Sequence, residues 1–162
     1  MAESLVKTIH FDQEGTHGVG PKAAGFLMKN WDEIYIPNLY FPEISLIDSC
    51  GRKQQVYKLD NLGNGYGFIP TRSTTSTPFV VHEDILYGVQ LPNMSLGKKT
   101  VTDSPVVFLL NLEKKEIEQF PFNYPVALMG NYEKASLGIE TKMSYCFNGK
   151  ELVFSFSFDE TL

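Results

Sequence analysis

Short segments of alternating apolar and polar residues, separated by turn residues, recur along the whole chain and favour β-strands over helices. No segment keeps a helical period for more than two turns, and residues 135–140 form at most a short turn. The strongest hairpin signal is the dipeptide Asn148-Gly149, which lies between two apolar stretches. Aromatic residues make up 13% of the chain, and their flat rings pack well on a pleated sheet. The chain is therefore predicted to be all-β.

The strand pattern restarts twice, which indicates an internal repeat. Each unit has an apolar strand, a turn containing Asn, Asp, Gly or Glu, and a returning strand in which an aliphatic residue adjoins an aromatic one. The aromatic anchors Tyr35, Tyr87 and Phe154 lie 52 and 67 residues apart. Four short strands at this spacing are typical of a β-propeller blade with long loops. The blade-like units are predicted at residues 26–59, 79–120 and 142–162, the last of them incomplete.

About three such units make a partial β-propeller. A β-sandwich or open barrel is the alternative, because short strands resemble one another by chance. A propeller needs about four to eight blades to close, so residues 1–162 are expected to form a single unit that is the N-terminal part of a larger propeller. The strand 154–158 would then leave an exposed edge, which predicts homodimers that form through strand edges.

Charge and hydropathy argue against several classes of partner. The net charge of −5 argues against nucleic acid, because binding to phosphates needs a basic surface. The longest apolar run, 105–110, is far shorter than the roughly 20 residues of a membrane span. Residues 1–7 lack the features of a signal peptide. Cys50 and Cys146 belong to no C-x-x-C motif, so a zinc site is not expected, and the sequence leaves open whether they pair.

Few residues point to catalysis. The chain has no Gly-x-Ser-x-Gly motif. The run His82-Glu83-Asp84 is best explained as a polar turn, because adjacent side chains point in different directions and do not converge on one ion. No cofactor is therefore expected. Lactonase-type propellers hold a metal in the central channel with acids and Asn from several blades, and the weak candidates for such ligands are Glu33, Glu83 and Asn148.

Aromatic side chains are the stronger candidates for ligand binding. Trp31, Tyr35, Tyr40 and Phe41 cluster around two prolines, and Tyr66 lies in a glycine-rich loop. Exposed rings stack on sugars or anchor a protein partner, so the expected ligand is an unidentified glycan, peptide or protein. The alternative is that these rings pack in the core between blades.

Strand and turn signatures at residues 44–51, at 104–108 with Tyr124-Pro125, and at 144–156 carry a family resemblance. They resemble an uncharacterised family of TolB-like, six-bladed β-propeller proteins found largely in Gram-negative gut bacteria. The resemblance covers most of residues 30–162 and implies an exported protein of the periplasm or outer surface, commonly a lipoprotein. The chain departs from the family pattern by ending about midway and by having no lipobox. The resemblance implies no catalytic residue.

The predicted function is accordingly a non-catalytic binding or scaffolding module at the cell envelope. Loops and side chains facing the channel would contact the ligand. The alternative function is a fragment of a metal-dependent propeller hydrolase or lactonase. Bound divalent metal that is lost on changing Glu83 would favour the enzyme.

Overall fold

The computed structural model describes residues 7–59, 72–90, 105–123 and 143–156, which contain ten β-strands and no helix. The strands form three antiparallel sheets. The first sheet contains β1 (Leu27–Asn30), β2 (Glu33–Pro37), β3 (Glu43–Ile47) and β4 (Lys53–Lys58). The second contains β5 (Val80–His82), β6 (Ile85–Val89), β7 (Pro105–Asn111) and β8 (Glu116–Asn123), and the third contains β9 (Met143–Phe147) and β10 (Leu152–Phe156). The prediction of an all-β chain is confirmed.

Each four-stranded sheet is a meander, in which strands that follow one another in the chain pair with one another. The tight β1–β2 and β3–β4 turns therefore share one end of the first sheet, and the β2–β3 connection lies at the opposite end. Asp48 holds the β3–β4 turn, since its carboxylate accepts the backbone N–H groups of Cys50 and Arg52 at 2.8 and 3.0 Å. A side-chain oxygen that accepts nearby backbone donors is a standard way to fix such a turn.

The hairpin predicted at Asn148-Gly149 is present, but its turn is displaced by one residue. The backbone N–H of Asn148 donates to the carbonyl oxygen of Glu151 at 3.2 Å, so Gly149 and Lys150 occupy the central turn positions. Gly149 has a φ of 92°, a conformation that glycine adopts without a steric penalty. Asn148 stabilises the turn from one side, because its side-chain oxygen accepts the N–H groups of Lys150 and Glu151.

The first and second sheets pack face to face on the main hydrophobic core. Pairing in register places Leu27, Tyr35 and Leu46 side by side on this face of the first sheet. The buried members of the core, from both sheets and their flanks, are Tyr35, Ile44, Tyr57, Leu59, Phe79, Leu86, Phe108 and Leu110. Removing this much apolar surface from water is the main source of stability for the pair of sheets.

Gly88 makes room for the ring of Phe108 in this core. It lies on β6 directly opposite Phe108 on β7, and a Cβ atom at position 88 would overlap the Phe108 ring. The same ring meets Phe79 edge to face, with the ring centroids 6.2 Å apart and the planes at 87°. An edge-to-face pair stabilises the core beyond what the burial of the two rings contributes. The close approach of the ring is therefore possible only because residue 88 has no side chain.

The third sheet packs on the opposite face of the second sheet and adds a third layer. The buried residues of this second core are Val89, Val106, Val107, Met143 and Tyr145. The hydroxyl of Tyr145 donates to the carbonyl oxygen of Pro78, and burial raises the pKa of this hydroxyl. Phe154 stacks on Phe122 with the ring centroids 4.6 Å apart. Two hydrophobic cores thus alternate with three sheets.

The N-terminal segment, residues 7–20, lies against the outer face of the first sheet, which is the face turned away from the second sheet. A small core there contains Val19, Ile34, Ile36 and Ile47, with Ile9 packed on it. The Lys53 ammonium donates to the carbonyl oxygen of Gly18 and ties the segment to β4. Gly51 has a φ of 78° in the β3–β4 turn and lies directly against the carbonyl oxygen of His10. The outer face is therefore partly covered by an irregular segment.

Candidate functional site

The structure places the candidate aromatic residues Trp31, Tyr35 and Tyr40 in three different environments. Tyr35 is only 1% exposed and belongs to the main core, where burial raises the pKa of its hydroxyl. Its ring has no free face for a ligand, so the alternative interpretation, packing between sheets, applies to it. Trp31 and Tyr40 are 47% and 61% exposed. Tyr66 lies outside the described residues.

Tyr40 and its neighbour Phe41 form an aromatic pair on the β2–β3 connection. Phe41 is 53% exposed, so both rings present more than half of their surface to solvent. Rings of this size at a protein surface are frequent anchors in binding sites, because they bury much apolar area with few rotatable bonds. We call residues 38–43 the aromatic turn.

Asn38 fixes the backbone of the aromatic turn although it is itself buried, with 1% exposure. Its side-chain oxygen accepts the N–H groups of Tyr40 and Phe41 at 2.9 and 3.3 Å. Its amide nitrogen donates to the carbonyl oxygen of Val19 at 3.3 Å and to the carboxylate of Glu43 at 3.4 Å. All these contacts converge on one buried side chain, so the two rings are held on a rigid support.

Polar groups lie beside the aromatic pair. A shallow cleft of about 370 Å³ is lined by Phe41, Pro42, Glu43 and Lys58. Glu43 on β3 and Lys58 on β4 are directly opposite each other in the sheet register. The cleft therefore combines one aromatic ring with a carboxylate and an ammonium group, which can accept and donate hydrogen bonds to a ligand.

Trp31 borders a different surface at the β1–β2 turn. The Lys7 ammonium lies 5.7 Å from the centroid of its ring, within the range of a cation–π contact. A groove of about 520 Å³, which we call the Trp31 groove, is lined by Lys7, Thr8, Ile9, Phe11, Ala23, Gly25, Phe26, Met28, Trp31, Ile34, Ile36 and Ile47. This groove is on the outer face of the first sheet and is almost entirely apolar, unlike the cleft beside the aromatic turn.

The three weak metal candidates lie in three different sheets or their turns. Glu33 is on β2 and forms an ion pair with Lys29 at 3.1 Å. Glu83 occupies the β5–β6 turn with a φ of 53°, and Asn148 stabilises the β9–β10 hairpin. Within the described ranges no three His, Cys, Asp or Glu side chains are grouped as a metal site. Glu33 and Asn148 thus have local structural roles, and the structure does not bring the three residues together.

Comparison with known proteins identifies the family. The family model described as "Domain of unknown function (DUF4221)" matches residues 2–162. The chain belongs to the DUF4221 family. The crystal structure of a DUF4221 family member from Bacteroides vulgatus ATCC 8482 matches 93% of this chain with a TM-score of 0.71 and 20% sequence identity. A search of curated proteins gives no significant match.

The DUF4221 chain spans 42% of the length of that Bacteroides protein. At 20% identity the likeness supports a common fold, and the family description names no activity.

Cys50 and Cys146 are both free and exposed. In the described part of the chain no helix is long and apolar enough to cross a membrane.

Two carboxylates of the DUF4221 chain have pKa values below their ordinary range. Partial burial alone raises the pKa of Glu33, but hydrogen bonds from Lys29, Asn30 and Tyr35 outweigh burial and lower it. The pKa of Asp48 is lowered first by the backbone N–H of Arg52 and further by that of Cys50. Both groups stabilise the first sheet in their charged form.

We expect the DUF4221 chain to lose stability in acid. A carboxyl group with a lowered pKa contributes stability above its ordinary pKa and loses it as the pH falls through the folded value. The melting temperature, followed by circular dichroism, should therefore decrease as the pH is lowered below the ordinary pKa values, which are 4.5 for Glu33 and 3.8 for Asp48. The variants Glu33→Gln and Asp48→Asn should each flatten this dependence, whereas Glu118→Gln is the matched control. An unchanged acid profile in the first two variants would contradict the assignment.

Proposed function

We propose that this DUF4221 chain is a non-catalytic binding module, built from the blades of a β-propeller and acting at the cell envelope. The two four-stranded meanders, stacked on a shared core, support the propeller architecture. The third sheet, stacked on the far face of the second, supports it further, because a β-sandwich has two layers around one core. The location at the cell envelope rests on the family resemblance of the sequence.

The observation that carries the proposed function is the aromatic turn. Two adjacent rings, Tyr40 and Phe41, are more than half exposed on a backbone that the buried Asn38 holds in place. Exposed rings lose hydration favourably when a ligand covers them, and a rigid support lowers the entropy cost of binding. The connection is thus organised to present rings rather than to bury them.

A glycan is the ligand class that this surface favours. Sugars offer apolar C–H faces that stack on aromatic rings, and hydroxyl groups that need donors and acceptors close by. Phe41 provides the ring face in the cleft, and Glu43 and Lys58 provide an acceptor and a donor beside it. The mixture of one negative and one positive side chain suits a neutral polyhydroxylated ligand better than a strongly charged one.

We expect the chain to bind oligosaccharides on an array of immobilised bacterial and host glycans. The double variant Tyr40→Ala, Phe41→Ala should weaken binding to the best glycan roughly tenfold or more, measured by calorimetry, because truncated aromatic anchors cost the most at binding sites. Asn38→Ala should weaken it to a smaller degree, since both rings remain but their support is loosened.

The matched control for this prediction is Phe120→Ala. Phe120 is 48% exposed on β8 of the second sheet, so the change removes an exposed ring of the same size elsewhere. It should leave glycan binding unchanged. If the chain binds to a parallel peptide array and not to the glycan array, the ligand is a peptide and the glycan proposal is wrong. If glycan binding survives in the double variant, the aromatic turn is not the binding site.

A further inference from the structure

The N-terminal segment covers the outer face of the first sheet but leaves a space against it. Hydrogen bonds hold the segment in place, since Val19 donates its N–H to the carbonyl oxygen of Asp12 at 2.9 Å and Lys53 donates to that of Gly18. The space is the Trp31 groove, and its volume of about 520 Å³ lies within the range of about 300–1,000 Å³ that is usual for small-molecule pockets. The groove is therefore preformed and has the size of a small-molecule site.

The lining of the groove favours a hydrocarbon chain. The sheet contributes three isoleucine side chains, and the N-terminal segment contributes Ile9 and Phe11. Among the described lining residues, the side chains that donate or accept hydrogen bonds are those of Lys7, Thr8 and Trp31. A ligand with polar groups along its length would bury them here without partners, at a cost in free energy. A hydrocarbon chain has no such groups and gains free energy when it leaves water.

Lys7 provides a positive charge beside this apolar lining. Lys7 is exposed, and its ammonium lies 5.7 Å from the centroid of the Trp31 ring. In the described part of the chain Lys7 forms no ion pair, and the described lining of the groove contains no carboxylate. A carboxylate at one end of a ligand would therefore meet a cation that no described acid neutralises, with the hydroxyl of Thr8 as a further hydrogen-bond donor.

We propose that the Trp31 groove binds a free fatty acid, with the hydrocarbon chain along the isoleucine side chains and the carboxylate beside the Lys7 ammonium. This class of ligand meets both requirements of the lining, because it is apolar along its length and anionic at one end. The inference goes beyond the proposed glycan binding, since the groove shares no described lining residue with the cleft beside the aromatic turn.

Titration of the whole chain with dodecanoate tests the proposal by calorimetry and by fluorescence. Trp31 is the only tryptophan of the chain, and its emission maximum should move to shorter wavelength when the ligand covers its ring. Each methylene removed, from dodecanoate to decanoate to octanoate, should raise the Kd about two- to fourfold, since each buried methylene contributes to binding. Dodecyltrimethylammonium has the same chain with the opposite charge and should bind at least about tenfold more weakly.

Two pairs of variants separate the contributions of charge and lining. Lys7→Gln should raise the Kd for dodecanoate about fivefold, the upper end for an exposed charge pair, whereas Lys150→Gln removes an exposed lysine from the β9–β10 hairpin and should leave the Kd unchanged. Met28→Glu should abolish binding, because it places a carboxylate in the lining, and Met28→Leu should preserve it. Met28 is 39% exposed, so both changes should leave the circular dichroism spectrum unaltered.

Three outcomes would overturn the proposal. The first is the absence of heat and of an emission shift up to about 1 mM dodecanoate. The second is equal affinity for dodecanoate and dodecyltrimethylammonium, which would mean adsorption without recognition of the carboxylate. The third is binding to phosphatidylglycerol vesicles without binding of dodecanoate, which would make the groove a membrane contact. Glycan binding should be unchanged in Met28→Glu, so failure of one proposal is distinguishable from failure of the other.

Discussion

Replacing Gly51 by alanine is expected to destabilise the chain by about 3 kcal/mol, measured by urea unfolding followed through circular dichroism. Gly51 has a φ of 78°, which strains any residue that carries a Cβ atom. The new methyl group would also overlap the carbonyl oxygen of His10, which is backbone and cannot rotate away. The N-terminal segment must therefore move off the β3–β4 turn, and contacts of the outer core are lost with it.

Gly149→Ala separates the two contributions to this effect. Gly149 has a comparable φ of 92°, but no atom lies within 4 Å of the position that a Cβ atom would occupy. Alanine at position 149 should cost about 1 kcal/mol, from backbone strain alone. Equal effects at the two positions would mean that the His10 carbonyl does not lie against the turn.

Truncating Phe108 to alanine is expected to cost about 3–5 kcal/mol in the free energy of unfolding. The Phe108 ring is completely buried between the first two sheets and packs edge to face on Phe79. Its removal leaves a cavity that the two rigid sheets cannot close. Phe120→Ala, on the neighbouring strand and half exposed, should cost less than about 1.5 kcal/mol.

Gly88 provides a sharper test of the same core. The variant Gly88→Ala should cost about 1–3 kcal/mol on its own, because its methyl group overlaps the Phe108 ring. In the Phe108→Ala background the overlap with that ring is gone and only the contact of the methyl group with Phe79 at 3.0 Å remains, so the same change should cost clearly less than in the parent chain. Additive effects in this double-mutant cycle would contradict direct packing of the ring on Gly88.

The strands were predictable from the sequence where alternation and turn residues agree. The all-β class, the meander around Tyr35 and the hairpin near Asn148 all follow from such local patterns. The alignment of Phe154 with Tyr35 and Tyr87 was less successful. Tyr35 on the first sheet faces the second sheet. Tyr87 pairs with Val80 on the face of the second sheet that packs on the third sheet. Phe154 on the third sheet instead packs back onto the second sheet. A side-chain period of two means that an error of one residue reverses the face.

The support of the aromatic turn was not predictable from local pattern. Tyr40 was a candidate, but Pro37-Asn38 reads in the sequence only as the end of a strand. The role of Asn38 depends on Val19 and Glu43, which the fold brings to its amide group from two other parts of the chain. The burial of Tyr35 has a similar origin, because an apolar strand does not reveal which of its faces another sheet will cover.

The alternation of sheets and cores places the second sheet between the other two. The first sheet shares a core with the second, and the third sheet shares a different core with the second. None of the described core clusters contains residues of both the first and third sheets. A strain introduced at β9 can therefore reach the first sheet by two routes. One crosses the second sheet from neighbour to neighbour, as in a linear array of coupled units. The other follows residues 72–78, where Ser76 accepts the backbone N–H of Tyr145 and the Ser73 hydroxyl donates to the carbonyl oxygen of Phe26.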